Sequence, residues 1–179
     1  MSNTPNPAGR KNPATGVHIF LGQPSIVLLT VNTLHREPWL SNDRAHLLLR
    51  EVWRDATAWL VGDYILMPDH LHLFCVPRDA HFTIEAWIAY WKSQFSRKYA
   101  QPRCRWQSRG WHRRLRQEEK YSESWLYVWE NPIRKGLVKD SKEWPYWGRI
   151  HTLPWHGPIL PAGLIPVGRD SWRALITFF

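Results

Sequence analysis

Apolar residues in the middle of the chain form short continuous runs separated by longer periodic segments. The run from Ile26 to Val31 is rich in β-branched residues, which favours a buried strand. Similar runs from Trp59 to Met67 and from Leu71 to Val76 predict two more strands, with the turn signal Pro68-Asp69 between them. These last two runs are so close that they predict a strand-turn-strand unit.

Three other segments repeat apolar residues at helical spacing. The first begins at Ser41 or Asn42, since either side chain can cap a helix. Its apolar positions are Ala45, Leu48, Leu49, Val52, Trp53 and Ala56. The apolar stripe of the second is Ile84, Trp87, Ile88, Trp91 and Phe95. Its basic residues Lys92, Arg97 and Lys98 lie away from the centre of that stripe, which predicts a solvated face.

The third periodic segment runs from Glu118 to Glu130 and carries acidic residues in its first turn, which complement the helix dipole. Its apolar stripe is Tyr121, Trp125, Val128 and Trp129. Pro132 then ends the helix. The segment from Trp106-Gln107 to Leu115-Arg116 is a candidate fourth strand.

The order β-α-β-β-α-β with one more helix predicts an α+β fold, a ferredoxin-like or RRM-like antiparallel sheet with helices packed on one face. Residues 1–22 are rich in Pro, Asn and Gly, and we expect them to form a flexible N-terminal arm. The folded domain is expected over residues 23–150. Residues 151–179, in which the density of Pro and Gly rises, are expected to be a C-terminal extension.

Composition excludes several classes of protein. Hydrophobic residues make up 44% of the 179 residues, which argues against general disorder. The apolar runs are too short to span a bilayer and no signal segment opens the chain, so we expect a soluble cytoplasmic protein without a membrane partner. Cys75 and Cys104 are the only cysteines, which argues against a disulfide framework or a thiolate zinc cluster.

The charge points to a polyanionic partner. Lys and Arg total 24 against 15 Asp and Glu, a net charge of +9, and nucleic acid is the commonest partner of such a protein. Six Arg without any acidic residue fall between positions 103 and 116, at Arg103, Arg105, Arg109, Arg113, Arg114 and Arg116. Trp106, Trp111 and His112 are interleaved with them, a pattern that suits a groove for single-stranded nucleic acid. Most of the thirteen Trp are expected in the core.

Two histidines open the third predicted strand. Because side chains alternate along a strand, His70 and His72 project from one face while Leu71 points to the other. Two imidazoles on one face can hold a divalent metal, although His-x-His also arises often by chance.

Tyr127 and Asn131 lie away from the apolar stripe of the third helix. Tyr127 is about 200° from Trp125 around the helix axis, and Asn131, four residues further on, shares its side. Packing of the core does not explain either residue. For Tyr127 the alternative is a tyrosine packed on a neighbouring side chain, and for Asn131 it is a plain C-terminal cap.

These pieces together resemble a known family. The pattern Leu66-Met67-Pro68-Asp69-His70-Leu71-His72 is followed by Trp106-Gln107 and a basic strand, then by Tyr127-x-x-x-Asn131-Pro132-Ile133-Arg134-Lys135-Gly136-Leu137-Val138 and Trp144-Pro145. This order resembles the REP-associated tyrosine transposases, of the HUH class of single-strand transposases. The resemblance runs from about residue 25 to 147 and identifies residues 23–150 as an HUH transposase-like catalytic domain.

The resemblance implies a site and a reaction. His70, His72 and Asn131 would be metal ligands, and such a nitrogen and oxygen set suits Mg²⁺ or Mn²⁺. Tyr127, on the C-terminal helix, would be the nucleophile that cleaves a DNA phosphodiester through a 5′-phosphotyrosine link. Family members act on palindromic repeats that fold as hairpins. They often carry another His in the strand after Trp-Gln, and here His112 and Arg113 both lie near that position.

The expected DNA contacts are Arg103, Arg105, Arg109, Arg113, Arg114, Arg116, Trp106, Trp111 and Lys92, together with the arms at both ends of the chain. Two other classes of function stay open: a catalytically silent protein that binds hairpin DNA, and a metal-dependent nuclease that uses water. The resemblance favours a monomer, with a dimer that exchanges helices as the alternative.

Overall fold

A computed structural model describes residues 26–79, 81–115 and 118–153, apart from the side chains of residues 118–120. The elements in chain order are β1 (Ile26–Thr33), a 3-10 turn (Leu34–Arg36), α1 (Asp43–Asp55), β2 (Trp59–Leu66), β3 (His70–Pro77), α2 (Ile84–Tyr99), β4 (Trp106–Leu115), α3 (Glu118–Trp129), α4 (Asn131–Arg134), a second 3-10 turn (Ser141–Glu143) and β5 (Trp147–Arg149). The predicted N-terminal arm, residues 1–22, lies outside the described residues, as do Arg116 and residues 154–179 of the predicted C-terminal extension 151–179.

The five strands form one antiparallel sheet in the order β4-β1-β3-β2-β5. The first four strands of that order give the ferredoxin-like arrangement, and β5 adds a short strand beside β2. The α+β prediction is therefore confirmed, and the basic segment after Trp106 is the fourth strand. Asn42, not Ser41, caps α1, because its side chain accepts a hydrogen bond from the Ala45 N–H at 2.9 Å.

Helices cover both faces of the sheet. On one face α1 and α2 pack over side chains such as Val27, Leu29 and Leu73. On the other, α3 packs over Leu28 and Phe74. The prediction of helices on one face only is therefore wrong for α3. The reason is that consecutive residues of β1 and β3 are apolar, so both faces of the sheet need cover from water.

Most of the tryptophans pack in the two cores, as expected. The buried ones among the described residues are Trp53, Trp59, Trp87, Trp91, Trp125, Trp129, Trp144 and Trp147. Cys75 is buried in the core and Cys104 is partly buried, and neither forms a disulfide. No helix in the described ranges is long and apolar enough to cross a bilayer.

Candidate active site

His70 and His72 stand on the sheet face that α3 covers. Their ring centroids are 4.9 Å apart and the rings are nearly perpendicular, at 87°. Leu71 between them belongs to the core on the opposite face, as the strand alternation predicts. The paired side chains therefore point together toward the space between the sheet and α3.

Each imidazole has one nitrogen engaged by a neighbour. His70 Nδ1 lies 2.6 Å from Asp69 Oδ1, and because a carboxylate only accepts, Nδ1 is the donor. His72 Nδ1 lies 2.8 Å from Thr30 Oγ1 on the neighbouring strand β1. A partner on Nδ1 orients the ring and directs Nε2 toward a metal, which is the usual arrangement around metal-binding histidines.

Both imidazoles are held in the neutral form. Burial, together with the neighbouring His70, Arg134 and Arg36, lowers the pKa of His72 to about 3. Burial also lowers the pKa of His70, although the hydrogen bond and negative charge of Asp69 oppose that shift. A neutral imidazole is the form that binds a metal ion.

Helix α3 is fixed over the histidine face by its buried side. The Tyr121 ring packs on Phe74 with 4.5 Å between centroids, and its Oη donates to Asp63 Oδ2 at 2.6 Å. Asp63 is fully buried and also accepts two hydrogen bonds from Arg149, both at 2.8 Å. This network ties α3 to β2 and β5 and so sets the position of the opposite side of the helix.

Tyr127, on that opposite side of α3, and Asn131, just beyond the end of the helix, lie near the histidines. Together with His70 and His72 they line a cleft of about 630 Å³. The Tyr127 side chain is 64% exposed, whereas Asn131, the first residue of α4, is buried. The structure thus brings together the four residues in which the sequence predicts a nucleophile and metal ligands.

Arg134 connects the tyrosine and the asparagine. Its guanidinium carbon lies 3.9 Å from the centre of the Tyr127 ring, a cation–π contact. The same guanidinium donates to the Tyr127 carbonyl and, at 2.8 Å, to Asn131 Oδ1. Both residues are therefore held by one cation at the end of the helix.

The donors of the cleft fit a divalent metal. Within the described ranges, no group of three or more His, Cys, Asp or Glu could hold a metal ion, which leaves an amide oxygen of the lining as a candidate third protein ligand. Asn131 supplies one: Oδ1 has a second lone pair beside its bond from Arg134, and Nδ2 is buried without a partner among the described residues. Two imidazoles and an amide oxygen leave coordination positions open, a set compatible with Mg²⁺ or Mn²⁺.

The predicted DNA contacts separate into three groups. Arg113 and Trp111 line the cleft, because they project from β4 toward the α3 side. Arg103, Arg105 and Arg109 are exposed on β4 and the loop before it, while Arg114 is partly buried. Trp106 and Lys92 form the third group, and neither has the surroundings that the sequence predicts.

Trp106 is partly buried and packs edge-on against Trp39, Trp91 and Phe95 at the border of the core, on the sheet face opposite the cleft. Lys92 is buried, and its Nζ donates to the carbonyls of Gln107 and Ser108. The prediction that it lies on a solvated face is wrong, because its long side chain reaches back across α2 to β4.

His112 and Arg113 are separated by the strand alternation. His112 lies on the α2 side of the sheet, with Nε2 at 3.7 Å from Glu85 Oε1. Arg113 takes the cleft side and donates to Ser124 Oγ on α3 at 3.2 Å. Of these two neighbouring residues, only Arg113 therefore lines the cleft.

Several residues of the cleft were missed by the sequence reasoning. Thr30 and Asp69 orient the two histidines, and Arg36 and Lys135 add positive charge to the lining. The place of Asp69 beside His70 is a signal in the sequence. No signal in the sequence marks Thr30 or Arg36, since only the pairing of β1 with β3 brings this part of the chain to the site.

The fold and the cleft define a class of protein: a ferredoxin-like domain with a histidine pair on the sheet opposite a tyrosine on a helix. A Haemophilus influenzae protein named REP-associated tyrosine transposase is 32% identical over 97 residues, which cover 45% of this chain and 53% of that protein. The Escherichia coli REP-associated tyrosine transposase is 26% identical over 121 residues, covering 65% of this chain and 72% of the relative. No family model matches the chain.

The solved structure of a REP-associated tyrosine transposase bound to a REP hairpin has the same fold. It superposes with a TM-score of 0.61 at 18% identity, over 83% of this chain and 95% of that one. The match to the Haemophilus relative spans about half of that protein's length. The resemblance predicted from the sequence is thus confirmed: the chain is a relative of curated REP-associated tyrosine transposases.

Proposed function

We propose that this protein is a metal-dependent single-strand DNA endonuclease and strand transferase, a transposase-like enzyme that cleaves and rejoins DNA at palindromic repeat hairpins. The observation that carries the proposal is that Tyr127 and Asn131 line one cleft with His70 and His72. The two pairs are distant in the chain, and packing of the core requires neither. The names of the curated relatives support the same class of activity.

His70, His72 and Asn131 would hold Mg²⁺ or Mn²⁺ in this cleft. When bound, such a cation supplies Lewis-acid polarisation of the phosphate at the reacting centre. Asp69 and Thr30 keep the two rings in the orientation that presents Nε2. Arg134 keeps the Asn131 amide beside them.

Tyr127 is the proposed nucleophile, since its exposed phenol faces the cleft. Its Oη forms a bond to phosphorus while the bond from phosphorus to the 3′ oxygen breaks, and the departing 3′ oxygen takes up a proton. The products are a 5′-phosphotyrosine link and a free 3′-hydroxyl. Because the number of phosphoester bonds is unchanged, attack by a 3′-hydroxyl can reverse the step without a nucleoside triphosphate.

The DNA would lie along the cleft and the basic strand. Trp111 offers a flat face for an unpaired base, and Arg113 offers a cation for a phosphate beside it. The exposed Arg103, Arg105 and Arg109 continue the positive surface along β4. Phosphate neutralisation would supply most of the affinity.

A monomer can contain the complete site. Tyr121 and Trp125 pack α3 on the sheet of its own chain, against Phe74. Tyr127 therefore reaches the histidines without an exchange of helices between two chains. We propose that the protein acts as a monomer, and measurement of its molar mass by light scattering would test this.

The test of the proposed function is a covalent adduct on a denaturing gel. The protein is incubated with labelled single-stranded DNA that carries the repeat hairpin of its own genome, with Mn²⁺ or Mg²⁺. We expect an adduct that disappears with Tyr127→Phe and with a chelator, while Tyr90→Phe, a control at another exposed tyrosine, retains it. Cleavage that survives Tyr127→Phe would identify a nuclease that uses water, and binding without cleavage in every sample would identify a silent hairpin-binding protein.

A further inference from the structure

Arg36 lies at the edge of the cleft, in a turn that no motif of the sequence marks. The 3-10 turn Leu34–Arg36 follows β1 directly, and Arg36 lines the cleft together with His70 and Tyr127. Its side chain is 47% exposed, so the guanidinium is open to a ligand that enters the cleft.

The guanidinium of Arg36 is held in one orientation by the protein. Its Nε lies 2.7 Å from Asp69 Oδ2, and its Nη1 donates to Asn32 Oδ1. Its Nη2 is 3.4 Å from His70 Nδ1, which already donates to Asp69 and so takes no hydrogen from the arginine. Of the five N–H groups of a guanidinium, those on Nη2 are thus available beside the histidine pair.

The backbone of the turn is unusual. Both His35 and Arg36 adopt left-handed conformations, with φ of 55° and 61°. Such conformations cost free energy for residues other than glycine and persist only where the surroundings enforce them. Here the Thr33 N–H donates to the Asp69 carbonyl at 3.0 Å and the Leu34 N–H to the Arg105 carbonyl at 2.7 Å. The enforced turn directs Arg36 back over the start of β3.

The charge of the cleft favours an anion. Among the described lining residues, Arg36, Arg113 and Lys135 are positive and Glu123 is negative. Asp69 faces Arg36, but it is shared with His70. A guanidinium N–H group also forms a strong, charge-assisted hydrogen bond to a phosphate oxygen.

We propose that Arg36 is a phosphate-binding residue of this site, with Nη2 donating to a phosphodiester of the DNA strand in the cleft beside His70. The proposal rests on the proposed function, because the ligand is the strand that Tyr127 would cleave. It adds a DNA contact from the turn after β1, which is remote from the basic segment.

Binding without cleavage tests this proposal. In a Tyr127→Phe background with a chelator, fluorescence anisotropy measures the affinity for the hairpin DNA over a series of salt concentrations. We expect Arg36→Gln to weaken binding about tenfold and to lower the salt slope by about 1, as the loss of one phosphate contact does. Arg36→Lys should keep the slope but lose part of the affinity, since an ammonium on a flexible stem lacks the fixed orientation that Asp69 and Asn32 give the guanidinium. Arg97→Gln, at an exposed arginine on α2, is the matched control and should change neither.

Unchanged affinity and slope in a folded Arg36→Gln protein would overturn the proposal, and so would a slope that falls with Arg36→Lys as much as with Arg36→Gln. Melting temperatures show which variants are folded, and Arg36→Lys preserves the ion pair with Asp69 if Arg36→Gln unfolds. The outcome is separate from that of the adduct assay. A protein that forms no adduct can still lose one phosphate contact when Arg36 is replaced. A protein that does form the adduct can bind DNA equally well when Arg36 is replaced.

Discussion

Lys92 and Arg113 are both basic residues at the boundary between β4 and a helix, yet their surroundings are opposite. The Lys92 ammonium donates to the Gln107 and Ser108 carbonyls at 2.5 and 3.2 Å, and burial lowers its pKa to about 8. Arg113 is exposed and lines the cleft. Lys92 therefore supports the strand, while Arg113 is available to DNA.

This difference predicts opposite effects of substitution. Arg113→Gln should reduce the salt slope of DNA binding by about 1, because one phosphate contact is lost. Lys92→Met should leave the slope unchanged and lower the free energy of unfolding by about 1–3 kcal/mol, because two carbonyls lose a charged donor. Anisotropy titrations over a salt series and urea denaturation measure the two effects. A reduced slope with Lys92→Met would show that the lysine does contact DNA.

Trp106 and Trp111 form a second pair with different roles. Trp106→Ala should lower the free energy of unfolding by about 3 kcal/mol, because the ring packs against Trp91 and Phe95. Trp111→Ala should instead weaken binding of single-stranded DNA by about 1–3 kcal/mol, the usual effect of losing a stacking face. The same binding and denaturation experiments separate the two. Equal losses of DNA affinity, with stability unchanged in both variants, would contradict these roles.

The sequence indicates which residue types line the site but not the direction in which each one points. The alternation that places His70 and His72 together is visible in the sequence, since β3 is regular. In β4 the register shifts against β1 between Val31 and Thr33, and no feature of the sequence locates that irregularity. The odd spacing of Trp106 and Trp111 predicts opposite faces for them, but the sequence does not show which of the two faces the cleft.

Helix α3 acts as one rigid support between the core and the cleft. On its buried side, Tyr121 donates a hydrogen bond to the fully buried Asp63, and its other side carries Tyr127. Removing that hydrogen bond leaves Asp63 Oδ2 with only its bond from Arg149. The position of the proposed nucleophile thus depends on a contact on the opposite side of the helix.

Tyr121→Phe tests this dependence. We expect the free energy of unfolding to fall by about 1–3 kcal/mol, the usual contribution of a buried hydrogen bond to a charged group. Tyr90→Phe, at a half-exposed tyrosine of α2, is the matched control and should have no effect. Urea denaturation followed by circular dichroism measures both. Equal stability of the two variants would show that Arg149 alone satisfies Asp63.

The long elements could be predicted because their periodicity is strong. The stripes of α1, α2 and α3 are buried as expected, apart from the partly buried Leu48, and β1 to β3 begin and end within a few residues of the predicted bounds. The short strand Trp147–Arg149 was not predicted, since three residues carry no periodic signal. The cover on both faces was missed as well, although the unbroken apolar run at Ile26 already contains side chains for both.

In the whole molecule, the larger core and the proposed active site lie on opposite faces of the sheet. One face of the sheet is closed by α1 and α2 over the larger apolar core, whereas the other combines a smaller core with a cationic cleft. The cleft is assembled from β1, β3, β4 and the region of α3 and α4. Motif order alone could suggest those parts, but only the strand order β4-β1-β3 places them side by side.

Mass spectrometry of the DNA adduct is the decisive measurement for Tyr127. After reaction with hairpin DNA and Mn²⁺, nuclease and trypsin treatment should leave a nucleotide on the peptide that spans residues 121–134, which contains both Tyr121 and Tyr127. Fragmentation distinguishes the two tyrosines. We predict the nucleotide on Tyr127, which faces the cleft. A nucleotide on any other residue, or cleaved DNA with no modified peptide, would contradict the proposed mechanism.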